Sequence, residues 1–204
     1  MNRIATSQGR SYRSQLRARQ AEETRARILD ATVRVMARGL ASVSIPAVAR
    51  EAGVSVPTIY RHFATKSDLI AAVYPHVVRR AGLDKLVPPR SVDELRDAVR
   101  AYFDHTEALD DLARAAMASP ASEEARRINM PDRLATFHQL ADSIVPKLPE
   151  VDRDRIARLL VILTASSSLR MWRNNLGSSV DEAADDIDWA VRAAIAAATS
   201  RKRR

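Results

Sequence analysis

Seven side chains between residues 56 and 66 have the types and spacing to grip a polyanion. In Val56-Pro57-Thr58-Ile59-Tyr60-Arg61-His62, a helical period turns Ile59 one way. It sends Val56, Pro57, Thr58, Tyr60, Arg61 and His62 the other way, and Lys66 opens the next helix. That outward set offers hydroxyl, phenol, imidazole and cationic donors beside a little apolar surface. This suits phosphate oxygens and base edges, not bond cleavage. Catalytic alternatives are poorly supplied. Ser166-Ser167-Ser168 falls inside a helical segment with no nucleophile elbow and no nearby histidine. The acids from Asp181 to Asp188 lack the spacing and glycine of a calcium loop, and they suit a helix N-terminus. There is no phosphate-cradling glycine loop, no H-E-x-x-H and no cysteine. The chain therefore reads as a non-enzyme with no cofactor and no metal site.

The elements that position the seven side chains follow from residues 43–66. Ser44 is placed to cap a helix over 45–52, with Pro46 in its first turn. Val48 and Ala52 face inward, and the small Ala49 lets a second helix cross closely. Gly53 makes the turn, Val54 plugs the angle, and Ser55 caps a helix over 56–62 whose buried stripe is Ile59 and Phe63. Two short helices around such a turn form an αα-hairpin or, more specifically, a helix-turn-helix, whose second helix fits the major groove. Charge favours the second reading. Residues 1–80 hold 14 Lys/Arg against 5 Asp/Glu, a net +9, and residues 81–200 hold 15 against 20, a net −5. The tail Arg201–Arg204 completes the chain's +8.

The whole chain reads as all-α. Its 204 residues are 46% hydrophobic and 28% charged, enough for a core without disulfides. No apolar run approaches a membrane span. Glycines at 39, 53, 82 and 177 fall where periodic segments stop, and no segment alternates polarity as a strand would. Ser91–Glu94 and Ser179–Glu182 have the spacing of capping boxes. Nine helices are predicted, at about 22–38, 45–52, 56–62, 66–81, 92–118, 121–128, 131–145, 152–175 and 180–199. Pro75 should bend the fourth, and Pro131 should sit in the first turn of the seventh. The acid-free, arginine-rich start predicts a flexible basic arm over 1–21. A helix-turn-helix domain (22–66), a larger helical domain (67–200) and a basic tail (201–204) follow.

The run Thr24-Arg-Ala-Arg-Ile-Leu-Asp-Ala, continuing through Ile45, Val48-Ala49, Ala52-Gly53-Val54-Ser55, Thr58-Ile59-Tyr60-Arg61-His62-Phe63, Lys66 and Leu69, strongly resembles the TetR family of bacterial transcriptional regulators. The likeness covers about residues 22–74; beyond it only the helical character and length agree. The resemblance implies a homodimer bound to a pseudo-palindromic double-stranded operator, three N-terminal helices on DNA and a small-molecule effector enclosed by the C-terminal helices. It implies a repressor released by that effector, in a bacterial cytoplasm on the nucleoid. Matching positions imply that Val56 and Pro57 approach base edges, and that Thr58, Tyr60, His62 and Lys66 hold phosphates, with Ser44 on a phosphate at its helix start. Pro46 departs from the pattern, since many relatives have a polar or basic residue there. Direct readout is then lean, confined to thymine methyls and Tyr60 or Arg61, and the N-terminal arm is expected to compensate in the minor groove.

For the second domain, the helices at about 152–175 and 180–199 are the expected dimer element. The first carries Ile156, Leu159, Leu160, Leu163, Leu169 and Trp172, and the second has a small alanine face. Expected pocket residues are Tyr102, Phe103, Met117, Met130, Leu134, Phe137, His138 and Met171, although side chains at such spacing are more often ordinary core than ligand cage. A rival reading keeps the DNA-binding half but gives the C-terminal domain a protein partner instead of a ligand; a closed, filled core would favour it. No membrane partner is expected.

Overall fold

The computed structural model describes residues 4–39 and 43–201, with side chains from 15 to 39 and 43 to 200. Among these are ten α-helices and no strand: α1 (Ile4–Ala37), α2 (Ile45–Ala52), α3 (Val56–His62), α4 (Lys66–Arg80), α5 (Leu95–Glu107), α6 (Asp111–Ala118), α7 (Ala121–Ile144), α8 (Glu150–Leu163), α9 (Ser166–Arg170) and α10 (Val180–Arg201). A single wide turn, Met171–Asn175, continues α9 toward α10.

Buried side chains fall into two clusters. The first joins α1 (Ile28, Leu29, Val35), α2 (Val48, Ala52), Ile59 and Phe63 around α3, and α4 (Leu69, Ile70, Val73). It also takes in Leu109, Ala113, Ala116, Ala121 and Ala125, so it extends well past residue 66 into α6 and the start of α7. The second joins α5 (Leu95, Val99, Phe103), the end of α7, α8 (Ile156, Leu160), Leu169 and α10 (Ala184, Ile187, Val191). Helix α4 runs unbroken through Pro75 and lies against both α1 and α7, and α7 contributes buried side chains to both clusters.

Four features differ from the sequence-based expectations. The expected flexible arm is helical from Ile4 onward, as the first half of α1. Its residues 15–23 are exposed; an Arg19–Glu23 pair one turn apart at 3.1 Å and straight-chain Arg, Gln and Glu side chains favour helix without any core beneath them. The expected helix over 92–118 is a short 3-10 turn (Val92–Glu94), then α5, then α6. The break at 108–110 has no glycine or proline. Asp110 caps α6 by accepting from the Ala113 N–H at 2.8 Å, and Arg114 donates to the Glu107 and Leu109 carbonyls that end α5. The expected helices 121–128 and 131–145 are one. Pro131 lies on the exposed side of α7, so the N–H it lacks leaves only the solvated Arg127 carbonyl unbonded. The expected helix over 152–175 divides at Thr164, where α8 ends.

Of the two expected capping boxes, the one at Ser179 forms: its N–H donates to Glu182 at 2.7 Å and its Oγ accepts from the Glu182 N–H at 3.1 Å. At Ser91 the side chain caps nothing, and Glu94 accepts from the Arg90 N–H instead. A further box, between Thr65 and Asp68, starts α4 directly after α3. The basic tail beyond Arg201 and residues 1–3 of the arm lie outside the described residues.

Candidate nucleic-acid interface

Helices α2 and α3 are fixed by backbone chemistry at their ends. Gly53 adopts φ +65°, the left-handed conformation that other residues resist, and the Val54 N–H closes on the Ala49 carbonyl at 3.0 Å. Ser55 then caps α3, accepting from the Thr58 N–H at 3.3 Å, and Pro57 sits in the first turn where no donor is needed. Ser44 occupies the N-cap position of α2 with extended backbone but makes no side-chain cap bond, contrary to expectation; its hydroxyl stays on the surface.

Both helices are strapped to α1. The Glu51 carboxylate accepts from Arg34 Nε at 2.7 Å and also from Arg38, and these two hydrogen bonds hold its pKa below the usual carboxylate value. Arg25 lies over the Phe63 ring, 4.2 Å from its centroid, and donates to the His62 carbonyl at 3.1 Å, closing the open end of α3. A further tie runs from α1 to α4: Asp30 accepts from His76 at 2.8 Å and Arg80 at 3.2 Å, and Arg80 reaches Asp110 at 2.7 Å.

What remains outward is the set predicted from spacing, with one shift. Ser44, Pro57, Tyr60 and Arg61 are exposed, with Tyr60 at 48%, and Thr58, His62 and Lys66 are half-buried. Val56 is also half-buried and packs partly on the first core, so only part of it is free for a partner. The Thr58 hydroxyl lies 2.9 Å from that of Ser55. Among the described residues, Arg61 and Lys66 have no ion pair. Burial, then the nearby Arg61 and Arg25 charges, pull the His62 pKa below its ordinary value. No group of metal-ligating side chains occurs among the described residues.

The eight expected pocket residues do not converge. Tyr102 and Phe137 line an apolar cavity of about 200 Å³ with Leu95, Val99 and Leu160. Met117 lines a second cavity of about 330 Å³. Phe103 is fully buried core, and Met130 and Met171 are exposed. Leu134 and His138 border neither cavity; His138 Nε2 lies 3.8 Å from Asp154. Periodicity marks inward faces but does not say which inward side chain meets a void. It also missed Arg170 and Arg173, which line the second cavity. On the expected dimer helices, Ile156, Leu160 and Leu169 are consumed by the chain's own core, and Leu163 and Trp172 are partly buried. The large apolar side chains left outward are Val151, Leu159 and Ile162 on α8, Met171 after α9, and Trp189 on α10, the last 72% exposed. No helix among the described residues is long and apolar enough to cross a membrane.

The geometry defines a helix-turn-helix module strapped to a long first helix and joined to a larger helical domain. Residues 28–73 match the family model of bacterial regulatory proteins of the tetR family. The chain is 42% identical over 60 residues to an uncharacterised HTH-type transcriptional regulator of Mycobacterium tuberculosis, a match covering 29% of this chain and 31% of the relative. It is 42% identical over 57 residues to SrpR of Pseudomonas putida (28% and 27% of the two chains). With AcrR of Shigella flexneri it shares 31% over 114 residues, 54% and 48% of the two. The first of these matches thus spans about a third of the relative's length. In fold, the chain is similar to a tetR-family transcriptional regulator from Streptomyces coelicolor, with a TM-score of 0.52 at 19% identity, over 88% of this chain and 83% of that one. The likeness to the tetR family thus lies in residues 28–73, and beyond them the chain shares the helical fold of the Streptomyces coelicolor regulator.

Proposed function

We propose that the chain is a transcriptional repressor that binds a pseudo-palindromic operator as a homodimer and is released by a small molecule. One observation carries the reading: α3 turns Tyr60 and Arg61 outward from a basic, internally strapped module, with Pro57, Thr58, His62, Lys66 and Ser44 on the same rim. On DNA, Pro57 and the free part of Val56 approach base edges, and Thr58, Tyr60, His62, Lys66 and Ser44 hold phosphates. A lone α3 reads only a few base pairs. Two copies joined through the outward apolar side chains of α8 and α10 present a recognition helix to each of two half-sites about one turn apart.

The cavities support the ligand reading over the protein-partner rival, which would favour a filled core. Release is a population shift: a ligand that prefers one arrangement of the two domains moves α4, and with it α3, out of register with the operator. The chain then works in the cytoplasm, on the nucleoid. In-vitro site selection with purified chain tests this. It should return symmetric sites, with log affinity falling against log salt at a slope of about −5 to −7 if roughly six to eight phosphates are neutralised. Failure to retard any duplex at low ionic strength rejects it.

A further inference from the structure

Two guanidinium groups face the interior of the C-terminal half with no carboxylate partner among the described residues. Arg170, half-buried on α9, donates only to the Ser166 carbonyl at 3.3 Å and faces the like charge of Arg126. Burial and that neighbour pull its pKa below the ordinary arginine value. Arg133, on α7, lies 6.0 Å from the Tyr74 ring centroid and 5.7 Å from that of Phe137. Its only hydrogen bond runs to the Tyr74 hydroxyl at 3.4 Å, and its enclosed Nε has no partner. Inward charges left this way oppose folding, because they give up water without gaining a counterion.

Their surroundings suggest what completes them. Arg170 lines the cavity of about 330 Å³, within the range of small-molecule sites, together with Thr106, Met117 and Leu169. Arg114, Arg173 and the Glu107 carboxylate border the same space, but each is already paired, Arg114 with Asp111 and Arg173 with Glu107, so Arg170 is the cation in this lining without a carboxylate partner. Met117 and Ser166 also line a smaller space on the other side, bounded by Arg126 and Arg133. The rest of that wall comes from Ala116, Ser122 and Ala125 and from Met36 of α1 and Val73, Tyr74 and Val77 of α4, these two helices packing on the helix-turn-helix.

We propose that this cavity binds an amphipathic anion, a carboxylate on an apolar body, with Arg170 meeting the carboxylate and Met117 and Leu169 packing on the body. Arg133 adds positive potential from across Met117 and Ser166. The planar guanidinium fork suits a carboxylate's two oxygens, and the carboxylate supplies the counter-charge that Arg170 lacks. The proposal rests on the effector reading above and gives that effector its chemical class.

The test uses the full chain, thermal unfolding and a straight-chain series: hexanoate, octanoate and decanoate against their amides. At saturation the carboxylates should raise Tm by about 5 °C and the amides should not. Arg170→Met should abolish the shift, and its unliganded Tm should equal or exceed that of the parent chain; Arg170→Gln serves as a second variant. No shift with any carboxylate, an equal shift with the amides, or a Tm well below the parent's in both variants overturns the site. Operator retardation measured alongside separates the two readings. A carboxylate that raises Tm yet leaves DNA bound upholds the site and removes the effector role. DNA released by a neutral compound while carboxylates do nothing removes the site and keeps the effector role.

Discussion

Arg61 and Arg170 are both guanidinium groups without a carboxylate, yet they sit in opposite environments. Arg61 stands in water beside Tyr60, where an unpaired charge costs little and its field reaches about a Debye length toward a polyanion. Arg170 is half-buried beside a cavity and faces another cation, where the same group destabilises the fold until something negative arrives. The acids around them differ in the same way. In the N-terminal half Glu51 and Asp30 strap α2 and α4 to α1, which leaves the outer face basic. In the C-terminal half surface acids neutralise surface arginines: Asp185 with Arg96 at 2.5 Å, Asp142 with Arg153 at 2.5 Å, and Asp188 with Arg192 at 2.7 Å. The first half leaves a basic outer face; in the second, several surface arginines are paired while Arg170 stands without a carboxylate partner beside a cavity.

The largest way to break this contrast is to remove what holds α3 in place. Phe63 is 3% exposed beneath Arg25. Phe63→Ala should cost about 3–5 kcal/mol from the cavity alone, with a further loss of about 0.5–1 kcal/mol from the cation–π contact. Urea unfolding checks it, and a loss under about 1 kcal/mol would mean α3 is held by something other than this core. Next in size is the pairing of subunits. Ile162→Arg with Trp189→Arg changes side chains that are 63% and 72% exposed, so the monomer should fold normally. Operator affinity should fall about 100-fold or more as the second half-site becomes a separate binding event. Sedimentation should show a monomer; an unchanged dimer would relocate the interface.

The same contrast explains what could be read from sequence. Helices α2 and α3 match their predicted limits because both are short and bounded by residues with one local use: Gly53 at positive φ, Ser55 as cap, Pro57 in a first turn. The buried stripe of α3, Ile59 with Phe63 at its end, is all the core that two turns can offer. The second half lacks such marks. Asp110 was a cap hidden inside an unbroken apolar period, although aspartate in mid-helix is itself a signal that favours a start. Pro131 misled in the other direction: on the exposed side of α7 the carbonyl it leaves unbonded can turn to water, so the helix continues through it. Among the pocket residues, Tyr102 and Phe103 are adjacent on α5, yet one borders a cavity and the other fills the core. Which of them meets a void is set by neighbours far away in sequence, on α7 and α8. Arginines 133 and 170 could not be found by apolar periodicity at all; a charge on the inward face of a predicted helix is the signal that would have found them.

Smaller effects sharpen the N-terminal side. Tyr60→Ala should leave Tm unchanged, since the ring is half in water, and lower operator affinity about tenfold, the scale of one lost contact in each half-site. Equal affinity would move the contact surface away from Tyr60. Gly53→Ala meets no neighbour within 4 Å, so its cost is purely conformational, about 1–2 kcal/mol at φ +65°. Gly53→Asn should recover part of it, which a steric clash would not allow.

The smallest expected effect is a proton. In the free chain burial and the charges of Arg61 and Arg25 lower the His62 pKa below its ordinary 6.5. Between the lowered value and 6.5 the folded chain therefore binds fewer protons than the unfolded one, and stability falls slightly as pH drops through that window. A phosphate beside the ring reverses the local field and raises the bound pKa, so DNA binding takes up a proton. Affinity should thus rise severalfold between pH 8 and pH 6, and His62→Gln should flatten the profile while leaving affinity at pH 8 nearly unchanged. Fluorescence anisotropy at fixed ionic strength measures both. A profile that keeps its slope in the variant would place the titrating group elsewhere.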